Sequence, residues 1–209
     1  MTTEIRHVFF DIGGVLATNG WDRESRKLAI EKFGLDAEGF ESRHNAMAGP
    51  LDEGGITLSE YVKFVVFNEP RPFSEQDFIA FIYQQSAPFQ ETIEIARAVA
   101  EGCTYWVMTL NNESDELNRY RIKEFGLDVI FDAFLSSCWL GLRKPTLAFY
   151  ERALNIAQAN PASSVLIDDR DLNIVPAREL GMNVIHYQSP SQLKTELRQL
   201  GIKFNLQDS

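Results

Sequence analysis

The chain has 209 residues, 44% of them hydrophobic and 24% charged, with 15 phenylalanines and a formal net charge of -10. That length suits one ordinary domain with a modest insertion and excludes two full domains. The acidic balance argues against non-specific binding to nucleic acid or an anionic membrane, but leaves room for an anionic small molecule, because a buried metal and one lysine can reverse the sign locally.

Residues 5–10 (IRHVFF) form a β-branched and aromatic run that ends at Asp11 and the Gly13-Gly14 pair, the pattern of a buried strand and a turn. Helix-like stretches follow at 23–33, 58–67 and 75–85, with turn clusters at Ala48-Gly49-Pro50 and Glu53-Gly54-Gly55 and no strand alternating with them. A helix is expected at 91–100, then a strand at 104–110 (TYWVMTL) running into Asn111-Asn112. The next helix, 113–125, spaces Leu117, Tyr120 and Phe125 at helical intervals. A short strand at 133–136 precedes a helix at 146–157, which carries Leu147, Tyr150, Leu154 and Ala157 on one face. Residues 164–167 (SVLI) run into Asp168-Asp169, a helix at 172–180 stops at Gly181, and 183–187 (NVIHY) runs into Gln188-Ser189-Pro190.

Strands alternating with helices imply parallel βαβ units and an α/β, doubly wound parallel sheet. Residues 1–16 and 89–209 are expected to form that core, and 17–88 an all-helical cap inserted after the first strand. Cys103 and Cys138 lie far apart in apolar surroundings and read as reduced thiols. No stretch approaches the apolar length of a membrane span, and Met1-Thr2-Thr3-Glu4 lacks the basic start of a signal peptide, so a cytoplasmic protein is expected.

Ligands of a doubly wound sheet bind beyond the carboxyl ends of its strands. Three of those ends carry Asp11, Asn111-Asn112 and Asp168-Asp169, and Lys144 stands just before a helix in Gly141-Leu142-Arg143-Lys144-Pro145. Paired carboxylates make a hard-oxygen magnesium site, an amide donates hydrogen bonds and a lysine neutralises an anion, a set suited to phosphoryl transfer through an aspartyl-phosphate. Each residue has a plainer reading. Asp before Gly-Gly is ordinary turn chemistry, an Asp pair caps helices, and most lysines are solvated. His7 and His186 read as packing residues, and His44 as a candidate for touching substrate.

FFDIGGVL, TLNNES, GLRKP and LIDDRDLNIVPARELGM resemble, in order, the four motifs of the haloacid dehalogenase-like superfamily, and the helical segment resembles its C1-type cap. The last motif is most similar to that of the epoxide hydrolase N-terminal phosphatase and sugar-phosphate phosphatase branch. The resemblance implies Asp11 as nucleophile, and Asp11, Asp169 and the Gly13 carbonyl as magnesium ligands with Asp168 in support. It places Asn111 where relatives carry a Ser or Thr phosphate donor (Thr109 fits only if the strand ends earlier), and Asn112 beside it in the phosphate-binding motif. Lys144 would bridge Asp11 and phosphate, and Asn173 lies near a further acid of many relatives.

The expected activity is hydrolysis of a small phosphorylated metabolite, by a monomer or homodimer. Relatives usually carry a second aspartate two residues after the nucleophile as general acid and base, and here that position is Gly13. Restoring a carboxylate there is expected to favour alkyl phosphates, whose leaving group needs a proton. The alternatives are a metal-independent dehalogenase and a catalytically weak phospho-ligand-binding protein.

Overall fold

The computed structural model describes residues 4–102 and 104–206. Five strands, β1 (His7–Phe10), β2 (Trp106–Asn111), β3 (Ala133–Ser136), β4 (Ser164–Asp168) and β5 (Asn183–His186), form one sheet in the order β3-β2-β1-β4-β5. Every neighbouring pair is parallel. Strand periodicity sends Val8 and Phe10 with Val107, Val165 and Ile167 to one apolar layer, and Phe9 with Met108, Leu110 and Leu166 to the other. Both faces are covered, as a parallel sheet requires. The doubly wound α/β sheet expected from the sequence is the observed one.

Between β1 and the rest of the sheet lie α1 (Arg23–Phe33), α2 (Ala37–Asp52), α3 (Leu58–Val65) and α4 (Glu75–Gln84). The later helices are α5 (Gln90–Glu101), α6 (Asp115–Glu124), α7 (Ser137–Leu140), α8 (Leu147–Ala157), α9 (Asp171–Glu179) and α10 (Pro190–Gln199). The first four build an apolar cluster of their own around Phe40, Tyr61, Val62, Phe78 and Ile82, which Leu117 of α6 joins. Side chains start these helices: Asp22 accepts from the Ser25 N–H, and Thr57 with Glu60 and Ser74 with Asp77 form capping boxes.

Two elements differ from the sequence reading. Ala48-Gly49-Pro50 is not a turn but part of α2. Asp36 caps that helix, Phe40, His44 and Leu51 bury one face, and Pro50, which has no N–H to give the Ala46 carbonyl, is carried two residues before its end. The chain turns instead at Gly54, whose φ is 71°, beside a Gly55 N–H that bonds the Pro50 carbonyl at 2.8 Å. The chain after Gln188-Ser189-Pro190 continues as α10, capped by Ser189 with Pro190 in its first turn.

The chain enters and leaves the four-helix segment side by side. Thr18 N–H bonds the Ala87 carbonyl at 2.9 Å, Phe89 N–H bonds the Leu16 carbonyl at 2.8 Å, and Ala17 pairs antiparallel with Pro88. Cys138 is a free, half-buried thiol, pushed up to about 12 by burial, with Asp115 and Glu113 adding to the rise. Cys103 lies outside the described residues. Among these no helix is long and apolar enough to cross a membrane.

Candidate active site

The sheet order reverses at β1, and a crevice opens there beyond the carboxyl ends of β1, β2 and β4. Asp11 leaves β1 with its N–H still bonded to the Ile167 carbonyl at 2.9 Å, and its Oδ1 accepts the Ile12 N–H at 2.8 Å. Lys144 comes from the loop before α8 with Nζ 3.1 Å from Asp11 Oδ2 and 2.6 Å from Asp168 Oδ2. Burial pulls the ammonium pKa down, but Asp11 and Asp168 together hold it above the ordinary lysine value. Burial lifts the Asp11 carboxyl above the carboxylate range, with Lys144 opposing. Asn112 fixes the lysine backbone from both sides: its amide donates to the Lys144 carbonyl and its oxygen accepts the Lys144 N–H, each at 2.9 Å.

Asp168 is fully buried and saturated. It takes the Arg170 N–H at 2.9 Å and the Asn173 amide at 3.0 and 3.1 Å, besides Lys144. Tyr150 donates to the Asn173 carbonyl at 2.8 Å. Asp169 is different: its Oδ1 is sealed from solvent and has no partner among the described residues. Asp11, Asp168 and Asp169 each place a carboxylate oxygen within 4.8 Å of the others. Gly14 makes the room, since at its φ of 78° a Cβ would lie 2.3 Å from Asp169 Oδ2. Asp11 and Asp169, the latter with an oxygen left unpartnered, are hard-oxygen donors that fit a divalent cation of the magnesium kind, with the saturated Asp168 beside them.

A cavity of about 610 Å³ opens over this cluster. Asp11, Gly13, Asn112, Lys144 and Asn173 line it from the sheet side, and Trp21, His44, Leu51, Leu58 and Ile82 from the four-helix segment. Arg23, Arg26, Arg121, Arg143 and Arg170 also reach it, so the wall is rich in cations although the chain is acidic. Asn111 does not line it. Its amide donates to Asn118 at 3.0 Å and its oxygen accepts from Ser136 at 2.9 Å and Thr109 at 3.3 Å, which turns the side chain into a polar network joining β2, β3 and α6.

The chain matches the haloacid dehalogenase-like hydrolases over residues 5–181. It belongs to that family. It is 26% identical over 208 residues to sesquiterpene phosphatase astK of Aspergillus oryzae, covering 96% of this chain and 98% of that one. It is 24% identical over 214 residues to bifunctional epoxide hydrolase 2 of Sus scrofa, covering 94% of this chain but 39% of that protein's length. The fold is also that of a HAD family enzyme of Bacteroides thetaiotaomicron in complex with magnesium and inorganic phosphate, with a TM-score of 0.73 and 21% identity over 88% of this chain and 94% of that one.

Within this haloacid dehalogenase-like hydrolase, Gly13 has an ordinary backbone, because the positive φ belongs to Gly14. The space a side chain at Gly13 would enter is bounded by Asn19 Oδ1, 3.1 Å from a Cβ, and by an Arg121 terminal nitrogen (Nη1) at 4.0 Å. Sequence reasoning missed Arg121 and its partner Glu113. Arg121 is buried; it donates to the Thr18 carbonyl at 2.9 Å and Ser86 Oγ at 3.0 Å, and its Nη1 lies 3.1 Å from Glu113 Oε2. It thus ties both crossings of the chain to α6. Burial lifts the Glu113 carboxyl to about 7, with Arg121 opposing. Along the sequence Arg121 looks like any helical arginine; the one local sign is Gly20, where a Cβ would lie 1.9 Å from its guanidinium.

Proposed function

We propose that this protein is a magnesium-dependent phosphatase of a small phosphomonoester, working through an aspartyl-phosphate on Asp11. The carrying observation is the buried cluster in which Lys144 bridges Asp11 and Asp168 while an oxygen of Asp169 is left without a partner. The names of relatives point the same way: one is a phosphatase, and the HAD family enzyme was crystallised with magnesium and phosphate.

Asp11, Asp169 and the Gly13 carbonyl would hold the ion, with Asp168 beside them. Bound there, magnesium supplies positive charge that offsets the charge of the phosphoryl oxygens. The chain's own residues do the rest. The Ile12 N–H and Lys144 hold the Asp11 carboxylate in one orientation, and one of its oxygens attacks phosphorus as the ester oxygen departs. Lys144 stabilises the charge that develops. Water then attacks the phosphoryl group on Asp11, releasing inorganic phosphate and restoring the carboxylate. Gly13 offers no proton in the first step and no base in the second, so esters with good leaving groups are favoured. Residues 17–88 act as a cap over a core of 1–16 and 89–209, and choose the substrate, a small cytoplasmic metabolite such as a sugar phosphate.

The test is hydrolysis of 4-nitrophenyl phosphate by the purified chain with magnesium, with chelator, and in the Asp11→Asn variant. Turnover is expected only in the first, with the variant folded by circular dichroism. Metal-independent release of halide from a 2-haloacid would support the dehalogenase alternative, and a burst without steady turnover the phospho-ligand binder.

A further inference from the structure

Trp21, Tyr61 and His44 form a hydrogen-bonded chain in the wall of the cavity. The Trp21 indole nitrogen donates to the Tyr61 hydroxyl oxygen at 2.9 Å, and that hydroxyl stands 2.8 Å from His44 Nδ1. Indole is a donor only, so the direction of the chain is fixed at its first link. Tyr61 is fully buried, burial holds its pKa above the ordinary tyrosine value, and among the described residues its hydroxyl has no acceptor other than His44. The phenolic proton therefore points at Nδ1, which accepts it, and the proton of the neutral imidazole must be on Nε2.

Protonating His44 would put a hydrogen on Nδ1 and leave the Tyr61 O–H sealed with nothing to receive it, a costly state. Burial, with Arg26 of α1 adding and Glu41 of α2 opposing, acts in the same direction and lowers the imidazole pKa to about 4. Arg26 and Glu41 are paired with each other at 3.0 Å, and Arg43 is turned away to the Val65 carbonyl. The imidazole is thus locked as one neutral tautomer.

Nε2 is the atom this leaves over. It bonds to nothing among the described residues, yet it is not one of their sealed, unpartnered atoms, which are His7 Nδ1, Glu116 Oε2 and Asp169 Oδ1. His44 lines the cavity with Trp21, Leu51, Leu58 and Ile82. We infer that His44 is a specificity-determining residue that presents a permanent Nε2–H donor, on a wall it shares with apolar side chains and with Arg26, to an oxygen on the organic part of the substrate. The preferred phosphomonoester then carries a hydroxyl, ether or carbonyl oxygen set apart from the phosphate. His44 is not the group that replaces the missing acid at Gly13, because its free nitrogen carries the proton of a neutral imidazole, which is too weak an acid to give it up and has no lone pair to act as a base.

This inference rests on the phosphatase reading, and its test separates the two. Nitrogen NMR of the labelled wild-type protein needs no turnover: His44 is expected to be protonated on Nε2 alone and not to titrate between pH 5.5 and 8. A proton on Nδ1, or a midpoint near 6.5, would overturn the assignment. With magnesium, ω-hydroxyalkyl phosphates of three to eight carbons are compared with the matching alkyl phosphates. The wild type should prefer the hydroxylated ester at one or two chain lengths. His44→Asn keeps an acceptor for Tyr61 but has no donor at the Nε2 position. It should lower that preference roughly 3- to 10-fold, the worth of one neutral hydrogen bond, and chiefly through KM. His44→Gln, whose amide nitrogen reaches the Nε2 position, should recover part of it. An unchanged ratio in folded His44→Asn would refute the specificity role, whereas absence of all phosphate hydrolysis in the wild type would refute the phosphatase reading instead.

Discussion

Gly13→Asp supplies the carboxylate that the family resemblance leads one to expect two residues after Asp11, and Arg121 decides what that carboxylate can do. The backbone at Gly13 admits a side chain, and Asn19 Oδ1, 3.1 Å from the new Cβ, need yield only a few tenths of an ångström. The guanidinium is 4.0 Å from that Cβ, within reach of the carboxyl group. Opposite charges about 4 Å apart attract by about 4 kcal/mol at an effective dielectric constant near 20, and such a neighbour lowers a carboxyl pKa by about 1–3 units. Burial overrides the same guanidinium at Glu113, lifting that carboxyl to about 7. Position 13 is only half-buried and opens on the cavity, so from an ordinary value of about 4 the new group would be mostly ionised at pH 7. It would be a poor acid but an available base. Alkyl phosphates, which need the proton, should gain less than about 3-fold. Aryl phosphates should gain about 10-fold through faster hydrolysis of the aspartyl-phosphate, below the usual 10²–10⁴ because a depressed pKa makes a weak base. The assay is kcat for an alkyl and an aryl phosphate at pH 7, with magnesium affinity measured in both proteins. The sequence alone points the gain toward alkyl esters, and a rise in the alkyl-to-aryl ratio would refute the role given to Arg121.

Lys144→Ala should abolish turnover and, in chelator, cost about 3–5 kcal/mol in urea unfolding, because Asp11 and Asp168 remain buried without their counter-ion; magnesium should recover part of the loss. Gly20→Ala puts a Cβ 1.9 Å from Arg121 at a φ of 65° and should cost at least about 2 kcal/mol, whereas Gly34→Ala, at a φ of 61° in open space, should cost about 1. His44 titrates near 6.5 when unfolded and near 4 when folded, so the unfolded chain binds the extra proton between those values and stability falls as pH drops through that window. The His44→Asn variant should lack this component, which has a slope of at most about 1.4 kcal/mol per pH unit, and parallel wild-type and variant slopes in urea titrations would contradict it.

The sheet was legible because its strands are short apolar runs punctuated by polar groups, and those groups mark where the site lies. Asp11, Lys144, Asp168 and Asp169 meet as their positions in the sequence suggest. What stayed hidden depends on direction rather than identity. Nothing in the chain order says that Asn111 turns inward to Asn118 and Ser136 while Asn112 holds Lys144. Gly49-Pro50 carries turn chemistry, yet packing of Phe40, His44 and Leu51 carries the helix through it. Arg121 and Glu113 are eight residues apart and look like solvated helix charges until the fold closes the two chain crossings over them.

Those crossings have a consequence for how such a protein can diversify. The chain departs after Leu16 and returns at Phe89, and these two residues already share a backbone hydrogen bond. On the proposed cap reading, an insertion whose entry and exit touch would behave as a cassette: its length and helix count could change without moving β1 or α5, because no linker would have to span a new distance. The graft would not be free of its host, however. Leu117 contributes to the cassette's apolar cluster, and Arg121 grips the Thr18 carbonyl and Ser86. Exchange of such a unit would therefore have to carry one face of α6 along with it, and that helix face, rather than the covalent junction, would be its boundary.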